Sequence, residues 1–155
     1  MPTRVIDLLN PQHVVLDLVA RNEPDALREL VATFGQEATN DRTALLRDLI
    51  AREQLQSTNA GNGVAFPHAR TDVVERIVLV IGRSREGVVF RDTEPPVHLL
   101  FLIGTPPAMV RDYLVCIGTL ARLCRNRDMR ERLLNAPTAE RLIDELRAAI
   151  AVAAK

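Results

Sequence analysis

The chain has 155 residues, 47% of them hydrophobic and 26% charged, and its 20 basic and 20 acidic side chains cancel to a net charge of zero. This length suits a single domain over residues 1–155 that buries about two-thirds of its unfolded surface, and the balanced charge offers no field for a nucleic-acid partner or an anionic membrane surface. No apolar run approaches the ~18 residues of a membrane span, and Met1-Pro2-Thr3-Arg4 lacks a secretory apolar core, so the expected location is cytoplasmic, without membrane insertion.

Val14 to Leu18 reads as a short strand. After Asn22-Glu23-Pro24, the spacing of Leu27, Leu30, Val31 and Phe34 predicts a helix that Gly35 stops. A second helix is predicted from Asp41 to about Gln54, with Leu45, Leu46, Leu49 and Ile50 as its apolar stripe and Arg52 near its C-terminal end. Ile77 to Gly82 and His98 to Ile103 have the continuous apolar character of strands covered on both faces. A long helix from Met109 to Cys124 follows, striped by Val110, Tyr113, Leu114, Ile117, Leu120, Ala121 and Cys124. Gly118 inside it suggests close packing against another element. The last two helices run from Asp128 to Leu134, with Glu131 completing a capping box, and from Thr138 to about Ala153. Together these elements predict an α/β fold, a mixed central sheet of about five strands flanked by about five helices.

Between the second helix and the first long strand stands Gly61-Asn62-Gly63-Val64-Ala65-Phe66-Pro67-His68-Ala69-Arg70-Thr71. The two glycines and Asn62 permit left-handed backbone, and Pro67 fixes the chain one residue before the imidazole, so His68 is expected on a rigid turn. A neutral imidazole attacks phosphorus through one nitrogen while the other donates a hydrogen bond, and Arg70 is suited to phosphoryl oxygens. His98 and His13 read as structural and surface-turn histidines. Cys116 and Cys124, eight residues apart on one helix, have Cα atoms ~12 Å apart, too far for a disulfide, and are expected to be buried free thiols. There is no P-loop, no GxGxxG fingerprint and no metal-spaced cluster, so neither ATP chemistry nor a metal or organic cofactor is expected.

This segment, with Ser57-Thr58 before it, resembles the GNGxAxPHA signature of the enzyme IIA proteins of the bacterial phosphoenolpyruvate-dependent sugar phosphotransferase system, in the fructose, mannitol and nitrogen-regulatory branch. Val5-Ile6-Asp7-Leu8-Leu9, Val15-Leu16-Asp17-Leu18 and Val80 to Val88 extend the similarity over nearly the whole chain. The resemblance implies a mannitol/fructose IIA-like fold with His68 as phosphoryl acceptor and Arg52, sixteen residues earlier, as the phosphate-orienting arginine. Gly61, Asn62, Gly63 and Pro67 shape the site, Arg70 lines its rim, and Ser57 and Thr58 either donate hydroxyls or begin the turn. Tyr113 stands where the mannitol and nitrogen-regulatory relatives carry a second histidine. The implied function is a phosphocarrier fed by an HPr-like histidine phosphocarrier protein. It passes the group to a sugar-permease IIB domain or holds it as a regulatory mark. The alternative is a regulatory module that docks onto a kinase or transporter with little phosphoryl flux, which Tyr113 favours. A stand-alone hydrolase lacks a paired acid.

Overall fold

In the computed structural model, which describes residues 2–153, one six-stranded mixed sheet separates two apolar clusters. The strands are β1 (Val14–Val15), β2 (Asn59–Gly61), β3 (Val64–Ala65), β4 (His68–Arg70), β5 (Val78–Val88) and β6 (Val97–Thr105). The helices are α1 (Val5–Leu8), α2 (Glu23–Val31), α3 (Arg42–Leu55), α4 (Val110–Cys124), α5 (Arg127–Leu134) and α6 (Ala139–Ala153), with 3-10 turns at Pro11–His13 and Pro107–Met109. The sheet order is β1-β5-β6-β3-β2, and β4 also pairs with β6. β5 and β6 are antiparallel, whereas β1 lies parallel to β5, and β3 and β4 lie parallel to β6.

Alternation along the two long strands divides the core. Leu79, Ile81, Leu99, Phe101 and Ile103 face α1, α4, α5 and α6, while Val78, Val80, Leu100 and Leu102 face α2 and α3. Val78 to Ile81 and Leu99 to Ile103 are therefore apolar at every position, which is the reason these stretches show a continuous run and not a two-residue period.

Four boundaries depart from the sequence reading. The strand expected over Val14–Leu18 pairs only at Val14 and Val15, and Leu18 rejoins the sheet through one bond from its N–H to the Arg83 carbonyl (2.8 Å). α2 ends at Val31, yet Phe34 remains 1% exposed in the turn beyond it. β5 runs past Gly82 to Val88 because the buried Arg83 guanidinium finds the carbonyls of Leu16 (3.0 Å), Leu133 (3.2 Å) and Ala136 (2.7 Å). α5 is capped by Asn126, whose side chain accepts the Met129 N–H (2.9 Å), and Glu131 pairs with Arg127 instead of closing a capping box at Asp128.

The long helix is also rotated from the expected stripe. Tyr113, Leu120 and both cysteines are buried as expected, but it is Cys116 that completes the inward stripe, and Leu114 turns outward at 58% exposure. Gly118 lies on the outer face, where an added Cβ meets no atom within 4 Å, so close packing does not account for it. Both cysteines are free and buried, and burial pushes their thiols up to about 11 for Cys116 and about 12 for Cys124.

Candidate functional site

The glycine-rich segment is a tight hairpin followed by a strand. Asn62 (φ 56°) and Gly63 (φ 76°) both take left-handed backbone between β2 and β3, as a two-residue primed turn requires, and Gly61 (φ 85°) adds a bulge just before them. The Gly63 carbonyl then accepts the N–H groups of His98 (2.8 Å) and Leu99 (3.0 Å), which fixes the hairpin to the start of β6. His68 lies at the start of β4, in register with Ile103, and not on a turn. Its rigidity comes from ladder bonds, including Ile103 N–H to the Pro67 carbonyl (2.9 Å). Because side chains alternate along a strand, His68 and Arg70 share one face while Ala69 points into the core at 3% exposure.

The His68 ring is half-buried, with Nδ1 2.9 Å from the Phe66 carbonyl oxygen. A carbonyl can only accept, so Nδ1 carries the hydrogen and Nε2 carries the lone pair. Burial is the main cause holding the imidazole below its ordinary pKa. The Phe66 carbonyl opposes it, Arg52 and Arg70 lower it further, and Glu53 acts the other way. The ring is thus kept neutral and nucleophilic near neutral pH.

His68 opens onto a cleft of about 600 Å³ whose walls include Asp48, Arg52, Arg70, Val110, Tyr113 and Leu114. α3 supplies Arg52 from its last turn, where the guanidinium donates to the Gln56 carbonyl (2.9 Å). α4 supplies Tyr113 from its first turn, with its ring centroid 5.4 Å from that of His68 and the planes tilted by 38°. Burial raises the Tyr113 hydroxyl above its ordinary pKa, so it remains a neutral group. The cleft thus gathers Arg52, His68, Arg70 and Tyr113 from three elements.

Ser57 and Thr58 do not line this cleft. The Ser57 hydroxyl donates to Glu94 (2.8 Å), and Thr58 gives both its hydroxyl (2.5 Å) and its N–H (2.7 Å) to Glu53. Of the two sequence readings, these contacts fit a segment that begins the turn. His98 is tied by Nδ1 to the Ser84 carbonyl (2.8 Å), and His13 sits half-buried against Phe34 and 3.8 Å from Glu37.

Three features escaped the sequence reading. Glu53 is buried at 4% although it sits in the last turn of a helix, where a carboxylate reads as solvated. Leu55 is 84% exposed at the cleft edge, beside the outward-turned Leu114. Asp48 places one carboxylate among the cleft arginines. The adjacency of Glu53 to Arg52 was the only signal for the first. A second groove of about 570 Å³, bordered by Asp7, His13, Glu37 and Arg76, does not include His68, and Arg76 donates to the Glu37 carbonyl (2.9 Å) there. Among the described residues no group of three or more histidine, cysteine, aspartate or glutamate side chains is arranged to hold a metal, and no helix is long and apolar enough to cross a membrane.

Comparison with known proteins places this geometry in context. The chain is 34% identical over 138 residues to a fructose-specific EIIA component of the phosphotransferase system from Haloferax volcanii, covering 84% of the chain and 90% of that protein. It is 29% identical over 143 residues to a nitrogen regulatory protein of Bradyrhizobium diazoefficiens, covering 92% of the chain and 94% of that protein. A Bacillus subtilis fructose-specific EIIABC component is 28% identical over 143 residues, which is 91% of the chain but only 22% of that longer protein. Among solved structures, nitrogen regulatory protein IIA-Ntr from Neisseria meningitidis superposes with a TM-score of 0.81 at 27% identity, covering 92% of this chain and 98% of that one. Enzyme IIA of the mannitol system from Escherichia coli, solved in complex with phosphorylated enzyme IIB, shares the fold with a TM-score of 0.78 at 18% identity, covering 90% and 97%. Residues 7–149 match the family described as phosphoenolpyruvate-dependent sugar phosphotransferase system, EIIA 2, and the chain belongs to that family.

Proposed function

We propose that His68 is a phosphoryl acceptor whose Nε2 takes the group from a phosphohistidine donor protein resembling the histidine phosphocarrier, and that the chain then delivers it to a IIB domain. The single observation behind this reading is the His68 ring itself, tied by Nδ1 to a backbone carbonyl and lining a cleft that holds two arginines. The Nε2 lone pair forms the new N–P bond as the donor N–P bond breaks. The proton stays on Nδ1, hydrogen-bonded to the Phe66 carbonyl, so the phosphorylated ring is a cation. A donor ring likewise protonated on its second nitrogen departs as neutral imidazole, and no general acid or base is consumed. What remains for the protein is positioning and charge stabilisation, which Arg52 and Arg70 supply to the phosphoryl oxygens. Arg52 retains free donors beyond its bond to Gln56, since a guanidinium carries five.

The exposed Leu55 and Leu114 at the cleft edge support a protein donor and acceptor, because apolar side chains beside a charged cleft favour burial against a partner surface. Such exchange between protein domains suits a cytoplasmic location. The IIB acceptor is drawn from the mannitol enzyme, which is recorded in complex with phosphorylated IIB.

The test is incubation of the protein with phosphoenolpyruvate and the general phosphotransferase proteins. An acid-labile phosphohistidine is expected on the parent and not on His68→Ala. Label retained by His68→Ala, or absent from the parent, refutes the reading. A second reading, regulatory docking onto a kinase or transporter with little flux, is favoured by Tyr113 in the cleft and by the nitrogen regulatory relatives. It is distinguished by phosphorylated protein that does not discharge to any IIB domain.

A further inference from the structure

Between α3 and β4 runs a continuous hydrogen-bonded chain that starts on a buried carboxylate. Glu53 accepts the Thr58 hydroxyl on Oε1 (2.5 Å) and the Thr58 N–H on Oε2 (2.7 Å). The Thr58 carbonyl accepts the Phe66 N–H (3.1 Å), and the Phe66 carbonyl accepts His68 Nδ1–H (2.9 Å). We infer that Glu53 is a positioning residue for His68, acting through Thr58 and Phe66 to hold the imidazole in the Nδ1–H tautomer and to keep Nε2 facing the cleft. This deepens the phosphoryl-acceptor reading and rests on it for its consequence in transfer.

Three observations separate this relay from ordinary structural bonding. Glu53 is adjacent to Arg52 on one turn of α3, so a single helix end sets both the phosphate-orienting group and, through the relay, the height of the nucleophile. Both Glu53 oxygens are used on the same residue, a two-point clamp that fixes orientation as well as distance. Phe66, whose backbone joins the clamp to the histidine, has an immobilised side chain, 6% exposed and stacked on Phe101 with centroids 5.4 Å apart. The end of α3 is held in turn by Arg91, which donates to the Glu53 carbonyl (2.5 Å). The coupling is positional: the clamp on Thr58 fixes the backbone that holds Phe66, and Phe66 in turn presents its carbonyl to the imidazole.

The experiment combines ring-nitrogen NMR of His68 with the kinetics of phosphoryl acceptance from the phosphorylated histidine phosphocarrier. Glu53→Gln puts an amide donor against the Thr58 N–H or its hydroxyl, and Thr58→Val removes the hydroxyl alone. Both variants are expected to populate the Nε2–H tautomer and to slow acceptance by about tenfold or more, in line with the effect of small misplacements of a reacting group. The half-saturating donor concentration should stay at the parental value, because the docking rim is untouched. Thr58→Ser keeps both donors and should restore the parental ring spectrum. Should Glu53→Gln fail to fold, Thr58→Val against Thr58→Ser decides alone. Folded variants with the parental tautomer overturn the proposal. A parent that is never phosphorylated overturns the acceptor reading instead, while a tautomer shift in the variants still upholds the relay.

Discussion

Replacing Arg52 with alanine tests the cleft most directly. The guanidinium spends one donor on the exposed Gln56 carbonyl at the end of α3 and reaches His68 as one of the positive charges that lower its pKa. If it also holds a phosphoryl oxygen, its loss removes a charge-assisted hydrogen bond of ~1.5–3 kcal/mol, or about tenfold to a hundredfold in transfer rate. The cost to the fold is the helix-end contact alone, ~0.3–1 kcal/mol, which lowers the melting temperature by no more than about 4 °C. The same change raises the His68 pKa toward its ordinary value. Since the neutral ring is the nucleophile, activity falls as pH drops through that pKa, and the acid limb of the pH–rate profile should therefore move to higher pH in Arg52→Ala. The assay is single-turnover acceptance from a phosphorylated donor between about pH 5 and 8, beside thermal melts. Arg52→Lys keeps the charge and loses the planar fork, and should fall between the two. A stable Arg52→Ala protein that accepts phosphate at the parental rate with an unmoved acid limb refutes the assignment and leaves Arg52 as a helix cap.

Three further expectations concern single residues. Tyr113, neutral and 5.4 Å from His68 by ring centroid, offers no positive charge to the phosphoryl group, so phosphohistidine lifetimes should rank Tyr113→His above parent and parent above Tyr113→Phe. Equal lifetimes make it a packing residue only. Gly118→Ala should stabilise the protein by up to ~1 kcal/mol, seen as a melting increase of ~2–4 °C, because the new methyl meets nothing within 4 Å and the helix gains propensity. Glu23 has one carboxylate oxygen buried without a partner, and burial together with the charge of Glu53 pushes its pKa from 4.5 up to about 7. The folded state therefore binds the proton more tightly than the unfolded chain, and the stability this gives is lost as pH rises from about 4.5 through about 7. Glu23→Gln should abolish a decline on the order of 1 kcal/mol, after discounting for partial exposure, in melts from pH 5 to 8.

The architecture was legible where the periodicity was strong. Leu45 and Leu49 on α3, and the apolar runs of β5 and β6, declared a sheet covered on both faces. The short strands β2, β3 and β4 were not, because two or three residues leave no periodic pattern, and β3 and β4 take their place in the sheet by parallel pairing with the distant β6. The sequence reading of His68 as a turn residue missed that its rigidity is long-range. Arg52, His68, Arg70 and Tyr113 converge on one cleft from positions the sequence had singled out. Glu53 stayed hidden because nothing local says that a helix-end carboxylate turns inward toward a threonine five residues ahead. The rotation of α4 that exposes Leu114 was likewise invisible, since Leu114 and Cys116 are both apolar and only packing chooses between them.

The attachment of the histidine segment to β6 limits how a phosphorylated state can be recognised. Gly63, Pro67 and β4 are all bonded to that strand, which is itself paired along its length with β5. Moving the histidine would break the ladder at the centre of the sheet, so the backbone of the two forms should superpose. The change available to a partner is one of charge. The cleft holds two arginines against one aspartate, and a phosphoryl group brings about −1.5 to −2 onto a ring that itself gains one positive charge. A mildly positive hollow would become a nearly neutral one of the same shape. In the proposed carrier, donor and acceptor domains would then share one docking face and be sorted, before and after transfer, by charge alone.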